Sequence, residues 1–254
     1  MYLDHVAIAT RDVTKPLATL VGELGGTVLS GGHAVGFRPM QVYLGGEDAG
    51  MKVELLEPWE PERNDFLVRF LDRHGDGPHH LTFKVDDIEK TLEQVAGWGI
   101  TPVSVDLSDP VWREAFLLPR DAHGTVIQLA DSDLSTGLPR AEYRVALEHG
   151  PMGSPQWWPE PPPRADDAVT LVRVVLRTDD VAAARELFSG LLGGRLVGGV
   201  SADAACELDW PSGARLCLEP STDGRRGIDR LELLGEPART IDVCGLPLVV
   251  QAPD

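Results

Sequence analysis

Three stretches of the chain share one rhythm of apolar and polar positions: HVAIATRDV from His5, HLTFKVDDI from His80 and RVVLRTDDV from Arg173. Each alternates with a period of two, as a half-buried strand does, and then reaches an acidic residue and a 3.6-residue helical pattern. Each helical pattern ends at glycine: Gly25-Gly26, Gly97 and Gly193-Gly194. The first copy predicts a strand over 3–9, a helix over 13–24 with Asp12 as its N-cap, and strands near 27–29, 40–44 and 51–56. The Gly-rich turns at Gly31-Gly32 and Gly45-Gly46 separate those strands. A connector over 59–77 carries a short amphipathic helix, 66–73. The second copy predicts a strand over 80–85, a helix over 88–96 and strands near 102–106, 115–118 and 125–130. The third predicts a strand over 171–176, a helix over 181–192 and strands near 205–209 and 215–218. A fourth copy, GIDRLELLG from Gly227, is eroded, with its helix almost gone before a strand over 246–250. The expected fold class is therefore α+β, built from tandem βαβββ units.

Composition changes once along the chain. Between 132 and 167 prolines gather (Pro139, Pro151, Pro155, Pro159, Pro161, Pro162, Pro163) around Trp157 and Trp158. That stretch reads as a linker lying across a surface and not as a packed element, pinned to a neighbouring domain by the tryptophan pair. It divides the chain into residues 1–131, the linker 132–167 and residues 168–254.

Alternation also sorts side chains by face. His5 shares a face with Ala7 and Ala9, and His80 shares one with Thr82 and Lys84. Glu54 lies between Val53 and Leu55, and Gln128 between Ile127 and Leu129. Two imidazoles, a carboxylate and an amide oxygen make a borderline-to-hard donor set. It suits Zn, Mn, Co, Ni or Fe(II), with a position left for substrate or water. His79 faces the other way from His80 and reads as a supporting or surface residue. His33, His74, His123 and His149 fall in turns or connectors.

Charge and length change the picture mainly by exclusion. A net charge of −17 argues against nucleic acid and anionic membrane as partners. No apolar run approaches the ~20 residues of a membrane span. The first residues enter a strand pattern with no secretion signal, and the odd set Cys206, Cys217 and Cys244 suits free, mostly buried thiols, so a cytoplasmic location is expected. No Gly-rich phosphate loop, Walker pattern or nucleophile elbow points to nucleotide-dependent or serine-hydrolase chemistry.

The segments LDHVAIATRDV, KVELLEP, GPHHLTFKVDDIE and HGTVIQLAD resemble the vicinal oxygen chelate superfamily, which includes glyoxalase I, extradiol dioxygenases and bleomycin or fosfomycin resistance proteins. Residues 1–131 look most like methylmalonyl-CoA epimerase, and residues 168–254 like a degenerate copy of the same module. The resemblance implies that each pair of βαβββ units closes a curved mixed sheet around a cavity with a metal at its floor. It places ligands at His5, Glu54 and His80, and at Gln128, where the family carries glutamate. The family's catalytic glutamate aligns near Ala34–Gly36, where this chain has no carboxylate; His33 is the nearest titratable group and Glu54 the other candidate base. In the second half Arg173 and Arg230 stand at the histidine positions and Leu216 or Cys217 at the glutamate position, so that half is expected to hold no metal.

The expected activity is metal-dependent isomerisation, epimerisation or lyase chemistry, by proton transfer beside a polarised carbonyl of a small molecule. Fe(II) extradiol-type dioxygenase chemistry and non-catalytic small-molecule or drug sequestration are the alternatives. A homodimer is compatible with this reading, although the chain already carries both modules of each pair.

Overall fold

The computed structural model describes residues 1–132, 139–153, 158–198 and 205–253. The first strand, β1 (Tyr2–Ala9), is buried along nearly its whole length. Helix α1 (Thr14–Leu17) follows and passes into a π-helical turn, Ala18–Glu23. Asp12 does not cap this helix in the expected way: Val13 is the N-cap, and Asp12 Oδ1 accepts the Thr14 N–H at 3.1 Å. The shift follows from an Asx-type turn, in which a short acidic side chain satisfies an amide two residues on. Gly25 then turns the chain with φ +67°, and a Cβ there would lie 2.7 Å from Ala168 Cα, so both conformation and space require glycine.

Strands β2 (Thr27–Gly31), β3 (Gly36–Gly45) and β4 (Gly50–Trp59) complete the first segment. β3 and β4 run longer than their apolar cores predict, because they pair in unbroken antiparallel register from Gly36↔Trp59 to Gly45↔Gly50. Helix α2 (Phe66–His74) leads to β5 (Gly77–Lys84). Helix α3 (Ile88–Gly97) is capped by Asp87, which accepts from Lys90 N, and β6 (Val103–Asp106), β7 (Arg113–Leu117) and β8 (Val126–Asp131) follow.

The Pro-rich stretch departs from expectation. Residues Pro139–His149 form helix α4, with Tyr143 and Ala146 buried against Leu29 and Tyr43. The Tyr43 and Tyr143 rings stack at 4.8 Å, and Lys52 Nζ meets Glu142 Oε2 at 2.9 Å where both chains are nearly out of solvent. Proline at the first helical position is compatible with a helix, so a proline count alone misleads here. Strand β9 (Met152–Gly153) extends β2. Trp158 is buried against Gly31, where any Cβ would overlap the indole, whereas Trp157 lies outside the described residues.

The second half runs β10 (Thr170–Thr178), α5 (Val181–Glu186) with a π-helical turn Leu187–Leu191, β11 (Arg195–Gly198), β12 (Cys206–Asp209) and β13 (Arg215–Pro220). Then come β14 (Gly227–Leu234), β15 (Arg239–Val243) and β16 (Leu246–Gln251). No helix separates β14 from β15 among the described residues, and β15 is a strand that the sequence pattern did not announce.

The fold is α+β with two mixed sheets. One has the order β6-β7-β8-β5-β1-β4-β3-β2-β9 and the other β11-β12-β13-β10-β14-β16-β15. In both, a strand lies beside the last strand of its own segment, and the pairs β5–β8, β10–β13 and β14–β16 are parallel.

Backbone contacts group the residues into two compact units that do not follow chain order. One comprises Met1–His5, His80–Leu138 and Arg173–Arg230. Its core includes Phe83, whose ring meets Trp210 at 5.3 Å and Phe188 at 6.2 Å, while Trp210 Nε1 donates to Leu192 O at 2.7 Å. The other comprises Val6–His79, Pro139–Val172 and Leu231–Asp254, with Ala7, Ala9, Leu56, Leu67 and Leu71 packed under Phe37, Phe66 and Phe70. Among the described residues no helix is long and apolar enough to cross a membrane, and Cys206, Cys217 and Cys244 are free thiols.

Candidate metal centre

His5 is fully buried on β1, and both ring nitrogens are engaged. Nδ1 meets Asp4 Oδ2 at 2.7 Å, and Nε2 meets Thr82 Oγ1 at 2.8 Å. A carboxylate at Nδ1 fixes the ring orientation and directs Nε2 toward the site, the arrangement that commonly supports a metal-bound histidine. His80, buried on β5, lies edge-on to His5 with ring centroids 5.7 Å apart, and edge-on to Phe116 at 6.3 Å. Glu54 on β4 pairs in register with Gln41, whose Nε2 donates to Glu54 Oε1 at 3.1 Å. One ligand-type atom from each of His5, Glu54 and His80 lies within 4.8 Å of the others, and all three residues are buried.

Those residues fit a metal ion. An ion with ~2.1 Å bonds in tetrahedral geometry spaces its ligand atoms ~3.4 Å apart, a span that small side-chain adjustments of this group can reach. Burying two imidazoles and a carboxylate in one place is costly unless something compensates the acid, and a divalent cation does so.

Gln128 takes its place by strand register: Thr82 pairs with Gln128 on β8, and Gln128 with Phe116 on β7. Its Oε1 accepts from Thr82 Oγ1 at 2.6 Å, on the side of His5, and its Nε2 donates to Glu114 Oε2 at 2.7 Å. The same Glu114 oxygen accepts Trp112 Nε1–H at 2.7 Å. Lys84, next on the His80–Thr82 face and nearly buried, holds its Nζ 4.1 Å from the Trp112 ring centroid, within cation–π range.

His33 is not part of this group. It is exposed on the turn before β3, 6.3 Å from the Trp59 ring. His79 is not a surface residue: its ring sits 4.5 Å from Phe70 and 6.3 Å from Phe66. Burial drives its pKa down to about 4, against the opposing pull of the Glu54 charge, so it is neutral at pH 7. His123 bonds Thr178 Oγ1 at 2.9 Å, and burial lowers its pKa as well.

Residues 4–116 match the glyoxalase/bleomycin resistance protein/dioxygenase superfamily. That stretch is a little under half of the chain. Over the whole chain, the fold is similar to that of a hypothetical protein from Staphylococcus aureus, at 10% identity, 99% coverage of both chains and a TM-score of 0.65. A hypothetical protein from Bacillus halodurans is 26% identical over 53% of this chain and 96% of its own, with a TM-score of 0.46. The methylmalonyl-CoA epimerase of Streptomyces coelicolor, in a variant complexed with 2-nitronate-propionyl-CoA, is 24% identical over 52% of this chain and 94% of its own, with a TM-score of 0.44. No curated protein matches the chain.

The matched stretch contains two residues that sequence reasoning passed over. Asp4 escaped because alternation assigns it to the face opposite His5, yet its carboxylate reaches the neighbouring ring. Glu114 was legible in principle, since it alternates with the buried Ala115 and Leu117 in REAFL and so shares the polar face with Phe116. Assigning it to the site required the pairing of β7 with β8.

Proposed function

We propose that the protein is a divalent-metal-dependent enzyme of vicinal oxygen chelate type, an isomerase, epimerase or lyase that moves a proton beside a polarised carbonyl of a small molecule. The buried His5–Glu54–His80 group, with Asp4 behind His5, carries this reading. His5, Glu54 and His80 would hold the ion, and the Gln128 amide oxygen faces the same side through Thr82. Bound there, a divalent ion supplies Lewis-acid polarisation of a carbonyl and stabilises the negative charge that develops as a proton leaves the adjacent carbon. Glu54 is both a ligand and a carboxylate that can accept a proton when it leaves the ligand set.

A second reading draws on the same donors: two histidines and one carboxylate are also the set of Fe(II) oxygenases. Extradiol-type chemistry on a catechol would consume oxygen, whereas proton transfer would not.

Protein purified without chelator should carry about one equivalent of Zn, Mn, Co, Ni or Fe by elemental analysis, and His5→Ala and His80→Ala should carry none. Wild type and both variants equally free of metal would refute this reading and leave a binding protein. Oxygen uptake on catechols after anaerobic Fe(II) loading would replace the isomerase reading with the oxygenase one.

A further inference from the structure

We infer that Gln41 is a positioning residue for the metal group: its amide holds the Glu54 carboxylate in place without adding a charge beside it. The inference rests on the metal-dependent reading above and concerns what prepares Glu54 to receive the ion. In the first sheet the ligand strands stand side by side, with His80 on β5, His5 on β1 and Glu54 on β4, and β3 and β2 lie beyond Glu54. Gln41 is the direct partner of Glu54 in the β3–β4 register, and its Nε2 donates to Glu54 Oε1 at 3.1 Å. Ser30 is in turn the partner of Gln41 in the β2–β3 register, and its Oγ donates to Gln41 Oε1 at 3.3 Å.

These two bonds allow one orientation of the amide. An ionised carboxylate only accepts, so the NH2 end of Gln41 must face Glu54 and the oxygen end Ser30. Glu54 thus has the histidine strands on one side and a neutral donor on the other, as His5 has Asp4 behind it. A glutamate side chain left to itself samples several rotamers and loses that freedom on binding an ion. A hydrogen bond that restricts it beforehand removes part of that cost from the binding step. Glu54 is buried while Gln41 and Ser30 are only half-buried, so the restraint reaches the ligand from the rim of the sheet face.

The same two strands show what an acid outside the ligand group receives. Glu57 has Arg38 as its register partner and forms an ion pair with it, and its Oε1 also accepts the Val13 N–H at 3.0 Å. That carboxylate is occupied in holding β3, β4 and the start of α1 together. A guanidinium carries a permanent charge and grips a carboxylate with several donors. Opposite Glu54 it would answer the acid's charge and remove the demand for a bound cation, whereas glutamine supplies a hydrogen bond and leaves that demand in place. The identity of the residue opposite each acid therefore separates a ligand from a structural ion pair.

The test is Co(II) binding to the full chain, followed by competition with a chromogenic chelator and by the visible absorption of the bound ion. Wild type should take up about one equivalent. Gln41→Met and Gln41→Leu, which fill similar space but donate nothing, should each bind Co(II) about 10- to 100-fold more weakly, with displaced absorption bands. Gln41→Arg should lose more, at least ~100-fold, because it sets an Arg38–Glu57 type of pair at the ligand. In a Glu54→Ala background, Gln41→Met should change affinity by less than about twofold, since the amide acts only through Glu54. Wild-type affinity and bands in whichever of Gln41→Met and Gln41→Leu folds, or wild-type affinity in Gln41→Arg, overturn this inference alone. So does an undiminished loss in the Glu54→Ala background, which would assign Gln41 to the strands and not to the ligand. A wild type that binds no Co(II) overturns the inference and the metal-dependent reading together.

Discussion

The matching faces of the two sheets solve one electrostatic problem in opposite ways. On the first, His5 and His80 stand at the positions where the second has Arg173 and Arg230. Imidazole offers a lone pair to a cation; guanidinium is always charged and offers none. The second face accordingly brings its own cations to its acids. Arg173 Nε meets Glu207 Oε1 at 2.6 Å, Arg230 grips Glu219 with two bonds of 2.7 and 3.0 Å, and Arg177 Nε meets Asp229 at 3.2 Å. Register also decides which residue stands at the ligand position of β13. The parallel pair β10–β13 sets Val175 opposite Cys217, as β5–β8 sets Thr82 opposite Gln128, so Cys217 and not Leu216 is the equivalent residue. A strand position can therefore serve as ligand or as salt bridge without altering the sheet, because hydrogen-bonded register, and not the charge chemistry, holds these strands together.

Copying one face onto the other should give the largest effect. His80→Arg puts a permanent cation where a donor is needed and should abolish metal retention, at least ~100-fold in affinity by competition with a chromogenic chelator. The reverse change, Arg230→His, should create no metal affinity, because Glu219 would lose its partner without gaining a second imidazole. Stoichiometric zinc in His80→Arg would break the comparison outright. Asp4→Asn should have a smaller effect. The His5 ring keeps a neighbour at Nδ1 but loses the carboxylate that orients it, and metal affinity should fall by about 10- to 100-fold with the ion still bound at saturation. Unchanged affinity would mean that the buried Asp4–His5 contact serves packing alone.

The sequence made much of this visible, for a definable reason. Period-two alternation depends only on local geometry, so the faces of His5, His80, Glu54 and Gln128 could be read before any fold was known. So could the order of strands and helices in the first two segments, apart from end effects such as the lengthened β3 and β4; in the third, the short strand β11 went unread. What alternation lacks is lateral information. Glu114 joins Gln128 only through the β7–β8 register, and Asp4 meets His5 by bending its side chain around its own strand. Helix α4 was obscured by composition: PRAEYRVALEH carries Tyr143 and Ala146 three apart, as a helix face requires, inside a stretch whose prolines suggested an open linker. β15 was lost because RTIDV places one short strand directly after a turn, with no helix to set it off.

The smallest effect belongs to the second face, and its sign separates ion pairing from packing there. The two Arg230 hydrogen bonds hold the Glu219 carboxyl below its ordinary 4.5, assisted by the charges of Arg230 and Arg177 and opposed by burial. A depressed folded-state pKa stabilises the fold above the unfolded value and loses that stabilisation as pH falls through the folded one. Solvent reaches both partners, so the pair is worth on the order of 0.5–1 kcal/mol, about 1–3 °C in melting temperature for a chain of this size. Arg230→Gln should therefore melt below wild type by that margin at pH 7, and the gap should shrink as pH falls below 4.5 and close once Glu219 is protonated in both. A gap that persists after Glu219 is protonated would show that Arg230 contributes through its aliphatic stem. The second face would then be a packed surface that happens to be charged, and its likeness to the histidine face would be positional only.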